Sequence, residues 1–194
     1  KIERALISVF DKNHILDFAK ELVSHGVEIL STGGTANTLR EGNINVIDVS
    51  DYTNFPEIMD GRVKTINPMI EGGILGLRDQ HKDESIKHNI KWIDLVICNL
   101  YPFQETISKK ECDLAMALEN IDIGGPTMLR SAAKNLGWVT SVVDPEDYYL
   151  IMNELKKSGG KVSFKTRKKL SSKTFWTINF SNAKFAVLIA KGGE

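Results

Sequence analysis

Between Asn120 and Asn135 the chain reads Asn-Ile-Asp-Ile-Gly-Gly-Pro-Thr-Met-Leu-Arg-Ser-Ala-Ala-Lys-Asn. This short span holds a carboxylate (Asp122), a hydroxyl (Thr127) and two cations (Arg130 and Lys134). Gly124 and Gly125 make a turn that needs no Cβ clearance, and Pro126 suits the first turn of a helix. Good helix formers follow through Lys134. A helix starting near Pro126 offers free N-terminal amides and puts Arg130 and Lys134, four positions apart, on one face. Two stacked cations invite an anion between them; a solvated helix face accounts for the spacing equally well.

A second group of chemical residues sits at the ends of two apolar runs. Ser8 and Lys12 lie within and just after Ala5–Phe10, and Ser31, Thr32, Gly33, Gly34 and Thr35 follow Val27–Leu30. Hydroxyls, glycine-exposed amides and a helix N-terminus, with Lys12 as counter-charge, make a cradle for phosphate. No Gly-Lys-Ser/Thr follows these glycines and a third glycine is missing, so neither the Walker loop nor the dinucleotide fingerprint is present. Arg62 and Lys64, one residue apart, point to the same side if their segment is extended. Tyr101 ends the most apolar run, Ile93–Leu100, where its hydroxyl can face a site or its ring can simply pack. His81 and His88 have no neighbouring ligand types and read as surface residues, so no metal site is expected.

These residues need elements to hold them. Ala5–Phe10, Val27–Leu30, Ile44–Val49, Ile93–Leu100 and Trp138–Val143 read as strands. Ile15, Phe18, Ala19 and Leu22 recur at helical spacing before Gly26, and a second helix stops near Gly42. Strands alternating with helices imply a parallel sheet with helices on both faces, and ligands bind at the carboxyl ends of such strands. Ser50–Pro68 has too many turn formers for a long element, and Glu71-Gly72-Gly73 reads as a tight turn. Asp144, Pro145 and Glu146 open a helix that ends near Gly159 and Gly160. From Val162 to Lys191 the pattern is helical and basic. The simplest division is a single domain with an α/β core over about 1–145 and a helical tail over about 145–194.

The 194 residues carry 25 basic and 25 acidic side chains, a formal charge of zero. That balance gives no electrostatic case for nucleic acid or a membrane surface. The Lys165–Lys173 basic run therefore reads as a solvated face. Cys98 and Cys112 lack a CxxC partner, no apolar run reaches membrane-spanning length, and no leader is expected. A cytoplasmic protein in a reducing compartment is expected.

The stretches ALISVFDK (Ala5–Lys12), EILSTGGTA (Glu28–Ala36), VSDYTNFPEIMDGRVKT (Val49–Thr65), GGILG (Gly72–Gly76), DLVICNLYPF (Asp94–Phe103) and NIDIGGPTMLRSAAKN occur in this order. In these motifs and their spacing the chain resembles the IMP cyclohydrolase domain, the N-terminal half of the AICAR transformylase/IMP cyclohydrolase family. The segment TRKKLSSKTF resembles that family's helical tail more loosely. The resemblance implies a methylglyoxal-synthase-like α/β fold. It also implies closure of formyl-AICAR to IMP with loss of water, a step of de novo purine biosynthesis that needs no cofactor and no metal. Lys64 and Lys134 would stabilise the formyl oxygen, Asp122 would take a proton from the carboxamide nitrogen, and Tyr101 would serve the leaving oxygen. Ser8, Lys12, Ser31, Thr32, Gly33, Gly34, Thr35 and Arg62 would form the phosphate and ribose cradle, with Gly124, Gly125 and Thr127 also binding substrate. A homodimer is expected from the resemblance.

Two departures stand out. Asn67 and Glu71 replace histidines of the family pattern, and Glu71 would oppose a phosphate ester if it pointed inward. Nothing in the chain resembles the transformylase half, so folate-dependent formyl transfer is not expected. Three alternatives share the cradle: an effector-binding module like the regulatory domain of carbamoyl-phosphate synthetase, a methylglyoxal synthase, and a decayed cyclohydrolase. The first needs no Lys64, Tyr101, Asp122 and Lys134 set, and the second has an acidic motif that this chain lacks.

Overall fold

The computed structural model describes residues 1–100 and 114–191. Five short parallel strands form one sheet: β1 (Arg4–Ile7), β2 (Glu28–Ser31), β3 (Ile47–Asp48), β4 (Leu95–Ile97) and β5 (Thr140–Val142), in the order β3-β2-β1-β4-β5. The helices in chain order are α1 (Ile15–Ser24), α2 (Gly33–Glu41), α3 (Val49–Thr53), α4 (Pro68–Leu75), α5 (Lys82–Lys87), α6 (Leu114–Glu119), α7 (Gly124–Lys134), α8 (Tyr148–Ser158) and α9 (Phe164–Lys191). A 3-10 turn, Pro145–Asp147, leads into α8, with Asp144 accepting from the Glu146 amide. The sequence places that helix start correctly, but its first turn is wound more tightly.

Alternation along the strands divides the core into two layers. Ala5, Ile7, Ile29, Leu95 and Ile97 face one way, against Ile15, Phe18 and Leu22 of α1, Leu39 of α2, and Tyr148, Ile151 and Leu155 of α8. Leu6, Leu30 and Val96 face the other way, against Ile70 and Ile74 of α4 and Met128, Leu129 and Ala132 of α7. Phe18 and Tyr148 stack with centroids 4.5 Å apart, and burial pushes the Tyr148 phenol above its ordinary pKa. Helix α9 closes the β5 edge: Thr174 donates to Ser141 Oγ and Ser171 to the Ala133 carbonyl. Its lysines at 165, 168 and 169 are exposed, as a solvated face requires.

Two local readings change. Glu71-Gly72-Gly73 is the middle of α4 rather than a turn. A Cβ on Gly72 would stand 2.8 Å from Ile90 Cδ1, and one on Gly73 would stand 2.6 Å from the Lys91 carbonyl. The glycines admit a close neighbour, not a bend. Likewise Gly124 and Gly125 are the first residues of α7, which starts before Pro126.

Candidate active site

The carboxyl ends of β1, β2 and β4 open into a cavity of about 480 Å³. One wall comes from the loop after β1 and the start of α2. Ser8, Lys12, Thr32, Gly33, Gly34 and Thr35 all line it. The first turn of α2 leaves the amides of Gly33, Gly34 and Thr35 without intrahelical acceptors, at the positive end of the helix dipole. The hydroxyls of Ser8 and Thr32 stand 3.3 Å apart at this wall. Thr35 has a different task from the one expected. Its hydroxyl accepts from the Val9 amide and donates to the Val9 carbonyl, both at 3.0 Å, tying α2 to the β1 loop. Ser31 is wholly buried, donates to the Ile7 carbonyl at 2.7 Å, and does not line the cavity.

Arg62, Lys64 and Thr65 line the same cavity with Asp122, Gly124 and Gly125. Arg62 and Lys64 both line the cavity, although their segment is a turn and bend rather than the extended one assumed from the spacing. Arg62 pairs with Glu119 at the exposed mouth, a contact worth little in water. Among the described residues, neither Lys12 nor Lys64 forms an ion pair. The Lys64 amine lies 3.9 Å from where a Cβ on Gly33 would stand, above the first residue of α2. Asp122 Oδ1 accepts from the Gly125 amide in the first turn of α7 at 2.9 Å, which leaves Oδ2 for chemistry.

The floor holds two residues that the sequence reading passed over as site residues. Cys98 is 3 % exposed, and burial, followed by the charge of Asp122, pushes its thiol above the ordinary range. It stays protonated and is a packing group rather than a nucleophile. Asn99 clamps the β1 loop from β4. Its Oδ1 accepts from the Phe10 and Asp11 amides at 2.7 and 2.9 Å, and its Nδ2 donates to the Asp11 carbonyl at 2.8 Å. The available signal was an amide side chain ending an apolar strand, where a buried polar group must find partners.

The other described residues singled out in the sequence lie elsewhere. Lys134 does not reach the cavity within one chain. It is exposed on the last turn of α7, ten residues beyond Gly124, or about 15 Å along the axis. Arg130 is also exposed, with its guanidinium 6.0 Å from the Phe175 ring centre rather than beside an anion site at the cavity. Thr127 Oγ1 donates back to the Ile123 carbonyl at 2.7 Å and does not line the cavity. Tyr101 lies outside the described residues. Glu71 does not turn inward: it meets Ser131 of α7. Asn67 caps α4 by accepting from the Met69 amide at 2.8 Å. Neither residue lines the cavity.

No helix among the described residues is long and apolar enough to cross a membrane. The family model described as the MGS-like domain matches residues 14–127, and the one described as the AICARFT/IMPCHase bienzyme matches residues 132–191. A crystal structure of ForH is 33% identical, with 99% of each chain covered and a TM-score of 0.91. On its motifs, its sheet and these matches, the chain belongs to the MGS-like domain family, and its C-terminal part is similar to the AICARFT/IMPCHase bienzyme.

Proposed function

We propose that this chain closes formyl-AICAR to IMP. One observation carries the reading: a phosphate-type cradle and the pair Lys64 and Asp122 line a single cavity of about 480 Å³. That volume suits a small-molecule ligand such as a nucleoside monophosphate. The amides opening α2, with Lys12, hold the phosphate. Both reacting groups belong to one substrate, so fixing its two ends supplies orientation at no further cost in entropy.

The carboxamide nitrogen forms a bond to the formyl carbon while Asp122 Oδ2 takes one of its protons. Negative charge gathers on the former formyl oxygen, and the Lys64 ammonium stabilises it. Asp122 returns its proton to that oxygen to give the carbinolamine, whose hydroxyl gains a second proton and leaves as water while a ring nitrogen loses one, and the C=N bond of IMP forms. Tyr101 is the proposed proton donor to the departing oxygen, on the strength of the resemblance alone.

Titration calorimetry tests the cradle. IMP should bind one per chain in the micromolar range, and inosine, without the phosphate, on the order of a hundredfold more weakly, as the loss of charge-assisted hydrogen bonds requires. Binding of a triose-phosphate analogue with no binding of IMP would contradict the proposal and favour a synthase.

A further inference from the structure

Lys64 and Asp122 line one cavity, yet neither belongs to the sheet. Lys64 lies in a segment whose regular pairing is the isolated bridge Ile58–Val63. Asp122 stands two residues before α7. The ladder that fixes the cradle therefore does not fix the distance between them. The helices that follow them do: α4 begins four residues after Lys64, and α7 begins two residues after Asp122.

These helices lie side by side and run the same way, joined at three levels. At the cavity end, Thr65 Oγ1 stands 3.0 Å from the position of a Cβ on Gly124. Midway, Ser131 Oγ donates to Glu71 Oε2 at 2.6 Å. At the far end, Asn135 Nδ2 donates to the carbonyls of Ile74 and Gly76 at 2.7 and 3.2 Å, satisfying the end of α4. The hydrogen-bonded partners are 59, 60 or 61 positions apart, and Thr65 and Gly124 share that offset. A constant offset is the mark of two parallel helices locked in one register.

We propose that Glu71, Ser131 and Asn135 form a polar seam between α4 and α7 that sets Lys64 against Asp122. All three are positioning residues; none touches the cavity. Glu71 is suited to this work and ill suited to the surface of a site. Its Oε1 is buried without a partner among the described residues, and burial holds its carboxyl above the ordinary pKa, with the Ser131 hydrogen bond opposing. Glutamine keeps the length of the side chain and the oxygen that Ser131 reaches, and so is its closest mimic. Ser131→Ala removes the middle contact and strands the whole carboxyl in the seam. The effect of this seam on turnover rests on the cyclohydrolase reading; its effect on spacing does not.

Crystal structures and kinetics of Ser131→Ala and Glu71→Gln test the seam. In Ser131→Ala, Thr65 and Gly124 should move apart by about 1 Å, kcat should fall at least about tenfold, and KM should stay within about threefold, as expected of misplaced reacting groups. Glu71→Gln should keep both the wild-type spacing and the wild-type kcat. Unchanged spacing in Ser131→Ala, wider spacing with unchanged kcat, or a Gln variant as impaired as Ser131→Ala would each overturn the proposal. If the wild-type chain closes no ring, the cyclohydrolase reading falls, and the spacing comparison alone decides the seam.

Discussion

Gly125→Ala should abolish most ring closure while leaving the protein folded. A Cβ at this position would stand 2.3 Å from Asp122 Oδ2 and 3.0 Å from Cys98 Sγ. Cys98 is packed at the end of β4 and has little room to retreat, whereas the Asp122 carboxylate is the tip of a rotatable side chain. The carboxylate therefore moves, and the base leaves its place. Because the atom displaced is a side-chain tip, the stability cost should be near the low end of the roughly 1–3 kcal/mol typical of overpacking. The loss of turnover should be far larger, about a hundredfold or more, in line with the loss of a positioned base. Gly125 has no positive φ, so alanine brings no backbone strain to confuse the result. Gly124→Ala is the milder comparison: its Cβ would meet Thr65 Oγ1 at 3.0 Å and nothing of Asp122, so its loss of turnover should stay well short of that in Gly125→Ala. Thermal melts alongside steady-state rates of both variants check the contrast.

Lys64→Ala should lower turnover by about 10²–10³, the range for removing a group that stabilises a developing oxyanion. IMP binding should weaken by less than about tenfold. The amine has two possible tasks, because it stands above Gly33 at the start of α2 and also lines the cavity with Asp122. A cation that only grips phosphate contributes equally to ground state and transition state, so binding and turnover would fall together. Paired calorimetry and single-turnover rates separate the two tasks.

The sheet was readable because its strands and helices bury different periodicities. Leu6 and Ile7 face opposite layers, while Ile15, Phe18 and Leu22 share one. Strand lengths were overestimated because apolar residues beyond the ladder, Val9, Ile93 and Val139 among them, are buried as well. Hydropathy reports burial, not backbone pairing. The glycines misled for a related reason: sequence shows the missing Cβ but not what occupies its place, whether Ile90 beside Gly72 or Asp122 beside Gly125. The phosphate cradle was legible because its chemistry is local to one strand end and one helix start. Lys134 was not, since spacing shows which residues share a helix face but not where that face points. Asn99 and the Glu71–Ser131 contact join residues 88 and 60 positions apart, and no local pattern announces them.

The most direct test of the central claim is the appearance of IMP absorbance after formyl-AICAR is added to the purified protein, with neither folate nor metal added. The account predicts that IMP forms in proportion to protein concentration and that Lys64→Ala and Gly125→Ala suppress it. Bound formyl-AICAR that converts no faster than it does in buffer alone would contradict the account and leave a nucleotide-binding module in its place.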